Sequence, residues 1–230
     1  ILKHSTKVAA VAASATLLIA TAIAPASAHV SVIPGVSATG NTTDAVTVGK
    51  NNTLSFRVGH GCSLEADVLH PVTKKVVASV DTFKGATHVF SVTVPAAALG
   101  DAGTTAARPA YVPGWKSTIK LNEDKTQTVT WTAISRDFDL PNGPEGDVAT
   151  TQYFDFGLRV AFAKTAAGTT VSFPARQTCL VDIPAVKATK KAKGVKASTI
   201  AVYETWDGSA TDTVLDNDKH STAPSIAVAK

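Results

Sequence analysis

The sequence predicts an all-β chain folded as an antiparallel β-sandwich. Three observations carry that expectation. Apolar and polar residues alternate strictly in several stretches, turn-forming residues separate those stretches, and no segment after the first 28 residues sustains a helical period. An apolar content of 44% over 230 residues supplies enough material for a core.

The strands follow in order. Leu54, Phe56 and Val58 face one way, and Thr53, Ser55 and Arg57 the other. Phe90, Val92 and Val94 alternate with Val89, Ser91 and Thr93, and Val129 and Trp131 alternate with Thr128, Thr130 and Thr132. The clearest case is "YFDFGLRVAF". There Phe154, Phe156, Leu158, Val160 and Phe162 line one face, while Asp155, Gly157, Arg159 and Ala161 line the other. Between such runs lie "VPGW", "LNEDKT", "LPNGPEG" and "TAAGTT", all rich in residues that favour turns. Only "PAAALG" hints at a helical turn. Residues 96–112, rich in Ala, Gly and Thr, have the composition of an insertion or linker. So do residues 184–198, which hold Lys187, Lys190, Lys191, Lys193 and Lys196.

The first 28 residues have the form of a secretory leader. Lys3 and Lys7 precede an uncharged run of apolar and small residues, and Ala26-Ser27-Ala28 fits a small-x-small cleavage site. The run is short and broken by Ser and Thr, whereas a membrane span needs about 20 strongly apolar residues. No span is expected in the mature chain. A protein secreted, or held in the cell envelope, follows from this reading, with one domain over 29–230. The formal charge of +4 falls to about +2 without Lys3 and Lys7, too mild to suggest nucleic acid. In an exported chain, the two cysteines Cys62 and Cys179 are most simply a disulfide. A thiolate metal site or two free thiols are the alternatives. The lysines of 184–198 would meet an anionic cell-wall polymer, or simply form a solvated loop. No aromatic residue is interleaved with them, so single-stranded nucleic acid is not indicated.

Catalytic signatures are missing. The chain has no Gly-x-Ser-x-Gly, no phosphate loop and no His-Glu-x-x-His, so no enzymatic activity is expected. Cleavage after Ala28 would instead make His29 the first residue. Its amine and imidazole would then form a chelate on one residue, a donor set that suits Cu(II). The amine, with an ordinary pKa near ~8, can give up its proton to a metal at neutral pH.

Several segments occur in a telling order: "HVSVIPGVSATG", "LSFRVGHGC", "PGW", "VTWTA", "FDFGLRV" and "FPARQTC", then "ETWDGSATD" and "HSTAPSI". Together they resemble the YcnI-like family of bacterial extracytoplasmic copper-binding proteins. The resemblance implies an immunoglobulin-like sandwich, copper binding, and pairing with other copper-handling envelope proteins. It also implies a site in which His29 supplies amine and imidazole, an acidic side chain assists, and a tryptophan lies nearby. Trp206 is the expected tryptophan, because it heads the resumed segment. Trp115 and Trp131 are expected to be packing residues. Asp155, on the polar face of its strand, and Glu65, just past "HGC", are the candidate acids. Many relatives carry Glu shortly after the first Pro, where this chain has Val36. His60 is expected to end a strand with its hydrogen bonds satisfied, and His70, His88 and His220 to lie on the surface. The alternative function is a structural or adhesive cell-surface domain in which His29 has no metal role. Copper-dependent cleavage of polysaccharide would need a second histidine ligand, and none is placed to supply one.

Overall fold

The computed structural model describes residues 30–34, 46–62, 68–69, 76–78, 86–141, 152–183, 185, 196–207, 219–220 and 223–229. The leader 1–28, His29, Glu65, His70 and most of the Lys-rich stretch lie outside them. In chain order the strands are β1 (Ser31–Pro34), β2 (Asn51–Val58), β3 (Val68–Leu69), β4 (Val76–Ala78), β5 (Ala86–Val94), β6 (Arg108–Pro109) and β7 (Trp115–Leu121). There follow β8 (Gln127–Ala133), β9 (Phe154–Ala161), β10 (Thr170–Ser172), β11 (Ala175–Ile183), β12 (Ser198–Trp206), β13 (Lys219–His220) and β14 (Ser225–Ala227). Helical structure among the described residues is limited to 3-10 turns at Ala96–Ala98, Arg136–Phe138 and Lys164–Ala166.

The strands form the expected antiparallel β-sandwich. The two main sheets have the orders β1-β2-β9-β6 and β13-β12-β11-β5-β8-β7, and β10-β14 and β3-β4 form separate two-stranded pairs. All neighbours are antiparallel except the two-residue β12–β13 pair. Each alternating face buries its apolar residues. Leu54, Phe56, Phe90, Val92, Val129, Trp131, Phe156 and Leu158 are fully buried in one shared core. At its centre the Phe156 ring lies 4.8 Å from Phe90, 5.1 Å from Trp115 and 5.3 Å from Trp131, between centroids. Burial of such side chains stabilises by roughly 1.5–3 kcal/mol each.

The turns form where the sequence places them. At "VPGW" the Trp115 amide donates to the Val112 carbonyl at 3.0 Å, and Gly114 adopts φ +78°. A Cβ at Gly114 would fall 2.0 Å from the Phe138 ring, so the turn needs glycine for space as well as for φ. The hint at "PAAALG" becomes the 3-10 turn at Ala96–Ala98.

Residues 96–112 are not a loose insertion. Ala98, Leu99, Ala107 and Val112 are buried, Leu99 bridges Ala161, and β6 extends the four-stranded sheet. The small side chains that suggest a linker are what let this segment lie close against β9. Cys62 and Cys179 form a disulfide, fully buried, with Cα atoms 6.0 Å apart. It ties the end of β2 to β11, one sheet to the other. No described helix is long and apolar enough to cross a membrane.

Candidate functional site

The neighbourhood of the expected N-terminus is set by β1. Val30, the first described residue, is buried, and Ser31 pairs with Arg57 while Val32 pairs with Phe56. Val32 packs against the core from the edge of the four-stranded sheet. The segment that follows His29 is thus held by sheet pairing on one side and core contact on the other.

Asp155 lies in the same row of the sheet, on the solvent face, because Arg57 pairs with both Ser31 and Asp155. Its two carboxylate oxygens accept from Arg57 Nε and Nη2, each at 2.8 Å. This fork-on-fork geometry is the strong form of the pair. The hydrogen bonds from Arg57 to Asp155 hold the guanidinium above its ordinary pKa. Arg57 also lies over the Tyr153 ring, 4.1 Å from the centroid. Ser31 and Asp155 are two strand spacings apart, about 10 Å.

Trp206 is buried in the core. On the same inward face of β12 sits Glu204, a carboxylate with no exposed surface. Its register partner Gln177 donates from Nε2 to the His60 carbonyl at 2.9 Å and to Thr87 Oγ1 at 2.6 Å. Glu204 is not among the candidate acids drawn from the sequence. The signal was present: in "VYETW" the acid takes the inward position between Val202 and Trp206. Trp115 and Trp131 are core residues, as expected.

His60 ends its strand with Nδ1 at 2.6 Å from the Gly61 carbonyl, as expected. His88 differs from its surface expectation. It is the extra residue of a β-bulge, since Thr178 pairs with Val89 and Cys179 with Thr87. The bulge aims its ring at Asp139, Nδ1 to Oδ1 2.6 Å, and Asp139 is 2% exposed. Arg136 Nε meets the other oxygen of Asp139 at 2.7 Å. The buried Asp139 carboxylate therefore ties β5, through the His88 imidazole, to the β8–β9 connection, in which Arg136 supplies the cation.

Among the described residues no group of three or more His, Cys, Asp or Glu side chains comes together. The solvent face of the six-stranded sheet carries a shallow depression of about 250 Å³, lined by Ser91, Thr93, Thr128, Arg176, Thr205 and Asp207 among others.

No family model and no curated protein matches the chain. Among solved structures it is similar to the crystal structure of an uncharacterized protein from Nocardia farcinica, described as revealing an immunoglobulin-like fold. The identity is 20% and the TM-score 0.47, over 89% of this chain and 100% of that one. The disulfide and the β-sandwich are compatible with a place outside the cytoplasm.

Proposed function

We propose that the chain is an exported copper-binding protein that carries Cu(II) on the amine and imidazole of a mature N-terminal His29, in copper trafficking or homeostasis. The observation that supports this reading is the docking of β1. Val30 is buried and Ser31 is paired with Arg57, so a chelate on the preceding residue would start from a fixed strand. A metal held by two donors of one residue needs that residue's amine to be free, which the leader ending at Ala26-Ser27-Ala28 would provide. The two nitrogens fit Cu(II) better than the other common divalent ions.

The third donor is less simply assigned. Asp155 is already engaged, since both of its oxygens accept from the Arg57 guanidinium, so a metal there would compete with that cation for the carboxylate charge. Glu65, three residues past the disulfide at Cys62, is the other acid. Copper is cargo in this reading, with no turnover, and its partners are other copper-handling proteins of the envelope.

The test compares two samples by calorimetry and electron paramagnetic resonance. One begins at His29 and the other carries one extra glycine before it. Tight one-to-one Cu(II) binding with nitrogen coupling in the first, lost in the second, is the expected result. Equal binding, or none, in both would overturn the proposal and leave the structural or adhesive reading. Asp155→Ala, in the sample that begins at His29, separates the two acids: affinity falls if Asp155 is the donor and holds if it is not.

A further inference from the structure

We propose that Arg108 and Arg159 form a binding site for a phosphate-class oxyanion on the solvent face of the four-stranded sheet. The two residues are register partners, Arg108 on β6 and Arg159 on β9, and both are exposed. Paired residues of adjacent strands share a face, with Cα atoms about 4.5–5.5 Å apart. Like charges placed directly opposite one another destabilise a sheet. The other arginines avoid this. Arg57 is held by Asp155, Arg136 by Asp139 and Asp182, and Arg176 lies over the Tyr203 ring. Among the described residues, neither Arg108 nor Arg159 has a carboxylate or hydrogen-bond partner. Among the described residues, the two arginines with neither a carboxylate nor an aromatic partner are the two that face each other.

The surroundings suit an anion. The next row of the face holds Ser55 and Gly157, with Ala110 beside them; the Ala110 amide donates to the Gly157 carbonyl at 2.8 Å. Gly157 has no side chain, and a Cβ there would come within 2.8 Å of the Ala110 Cβ. Rows on one face are about 6.8 Å apart. The arginine pair therefore lies two rows, about 13.6 Å, from the Arg57–Asp155 row, with only this row of small residues between them. Thr53 flanks Arg159 on the other side, adding a hydroxyl. Guanidinium forks match two oxygens of a phosphate group at once, and two forks this close can converge on one group. The anion would also relieve their mutual repulsion. A free inorganic phosphate and a phosphodiester of an envelope polymer offer the same chemistry.

The experiment uses the full chain with its disulfide formed, at constant ionic strength set with chloride. Binding is read by calorimetry and by the rise in Tm, with inorganic phosphate in one arm and poly(glycerol phosphate) in the other. R108Q/R159Q is compared with K116Q/K120Q, which removes the same charge from exposed positions on β7. The expected result is saturable binding by the wild type and the lysine variant, and at least tenfold weaker binding by the arginine variant. Without anion the arginine variant should melt no lower than the wild type. Tighter binding of the polymer per phosphate group assigns the site to the polymer, and equal binding assigns it to the free ion. Equal weakening in both variants, or no binding beyond the chloride background, would overturn the proposal. The site does not depend on copper, so the copper result leaves it standing or falling on its own.

Discussion

Replacing both Cys62 and Cys179 by alanine is expected to cost about 5 kcal/mol of stability. The bridge spans 117 residues of sequence. In the chain-entropy model a loop of that length removes close to 5 kcal/mol from the unfolded state. A further small loss comes from contacts, since both sulfurs are buried and the Cys62 amide donates to Cys179 Sγ at 3.0 Å. For a chain of this size ~1 kcal/mol corresponds to roughly 2–4 °C, so Tm should fall by about 10–20 °C. Domains have ~5–15 kcal/mol in all, so the variant stays folded only if the wild type lies above the low end. The assay is urea denaturation of both proteins, followed by tryptophan fluorescence. Freeing the unfolded chain exposes more surface, so the slope with denaturant should rise as the midpoint falls. A loss below about 1 kcal/mol with an unchanged slope would refute the idea that the bridge acts by restraining the unfolded chain.

Gly114→Ala should cost about 2–4 kcal/mol, combining the left-handed backbone with the collision against Phe138. In a Phe138→Ala background the collision is gone and the cost should fall to about 1–2 kcal/mol; strictly additive losses by urea denaturation would reject the contact. Asp124 is held below the ordinary carboxylate range by the Thr126 hydroxyl and amide, at 2.7 and 3.0 Å. A group depressed in the folded state stabilises above its unfolded value and loses that contribution as pH falls through its folded one. An NMR titration should therefore find its midpoint below about 3.9 and find it raised in Thr126→Val; a midpoint at or above the ordinary value would reject the assignment.

The long strands were legible because a half-buried strand writes itself into the sequence with period 2. Phe56, Phe90, Trp131 and Phe156 all fall on the faces their alternation assigns. The disulfide was legible from redox logic, not from any local pattern. What stayed hidden depends on register. Asp155 was correctly placed on a polar face, but its partner Arg57 is 98 residues away and meets it only through the β2–β9 pairing. The Arg108–Arg159 pair is hidden for the same reason, since β6 is two residues long and has no alternation to show. The bulge at His88 moves a ring from its expected exposure, and nothing in "ATHVF" signals it. Residues 96–112 misled because small residues suit both loose connections and tight packing. Of the candidate metal donors, Asp155 can be weighed against its surroundings, while His29 and Glu65 lie outside the described residues.

The sandwich is also sealed by parts of the chain that are made far apart in time. Val46 bridges Val228, β14 pairs with β10, and β1 packs against β14, with Ile226 and Val228 in the core or at its edge. Contacts of such long sequence separation raise the contact order, which slows folding because distant segments must meet before they are rewarded. A ribosome has to deliver residues 225–228 before the core that Val30 and Val46 begin can be completed. The sandwich is therefore expected to close as one unit only once residues 225–228 have emerged, and to remain open and threadable until then.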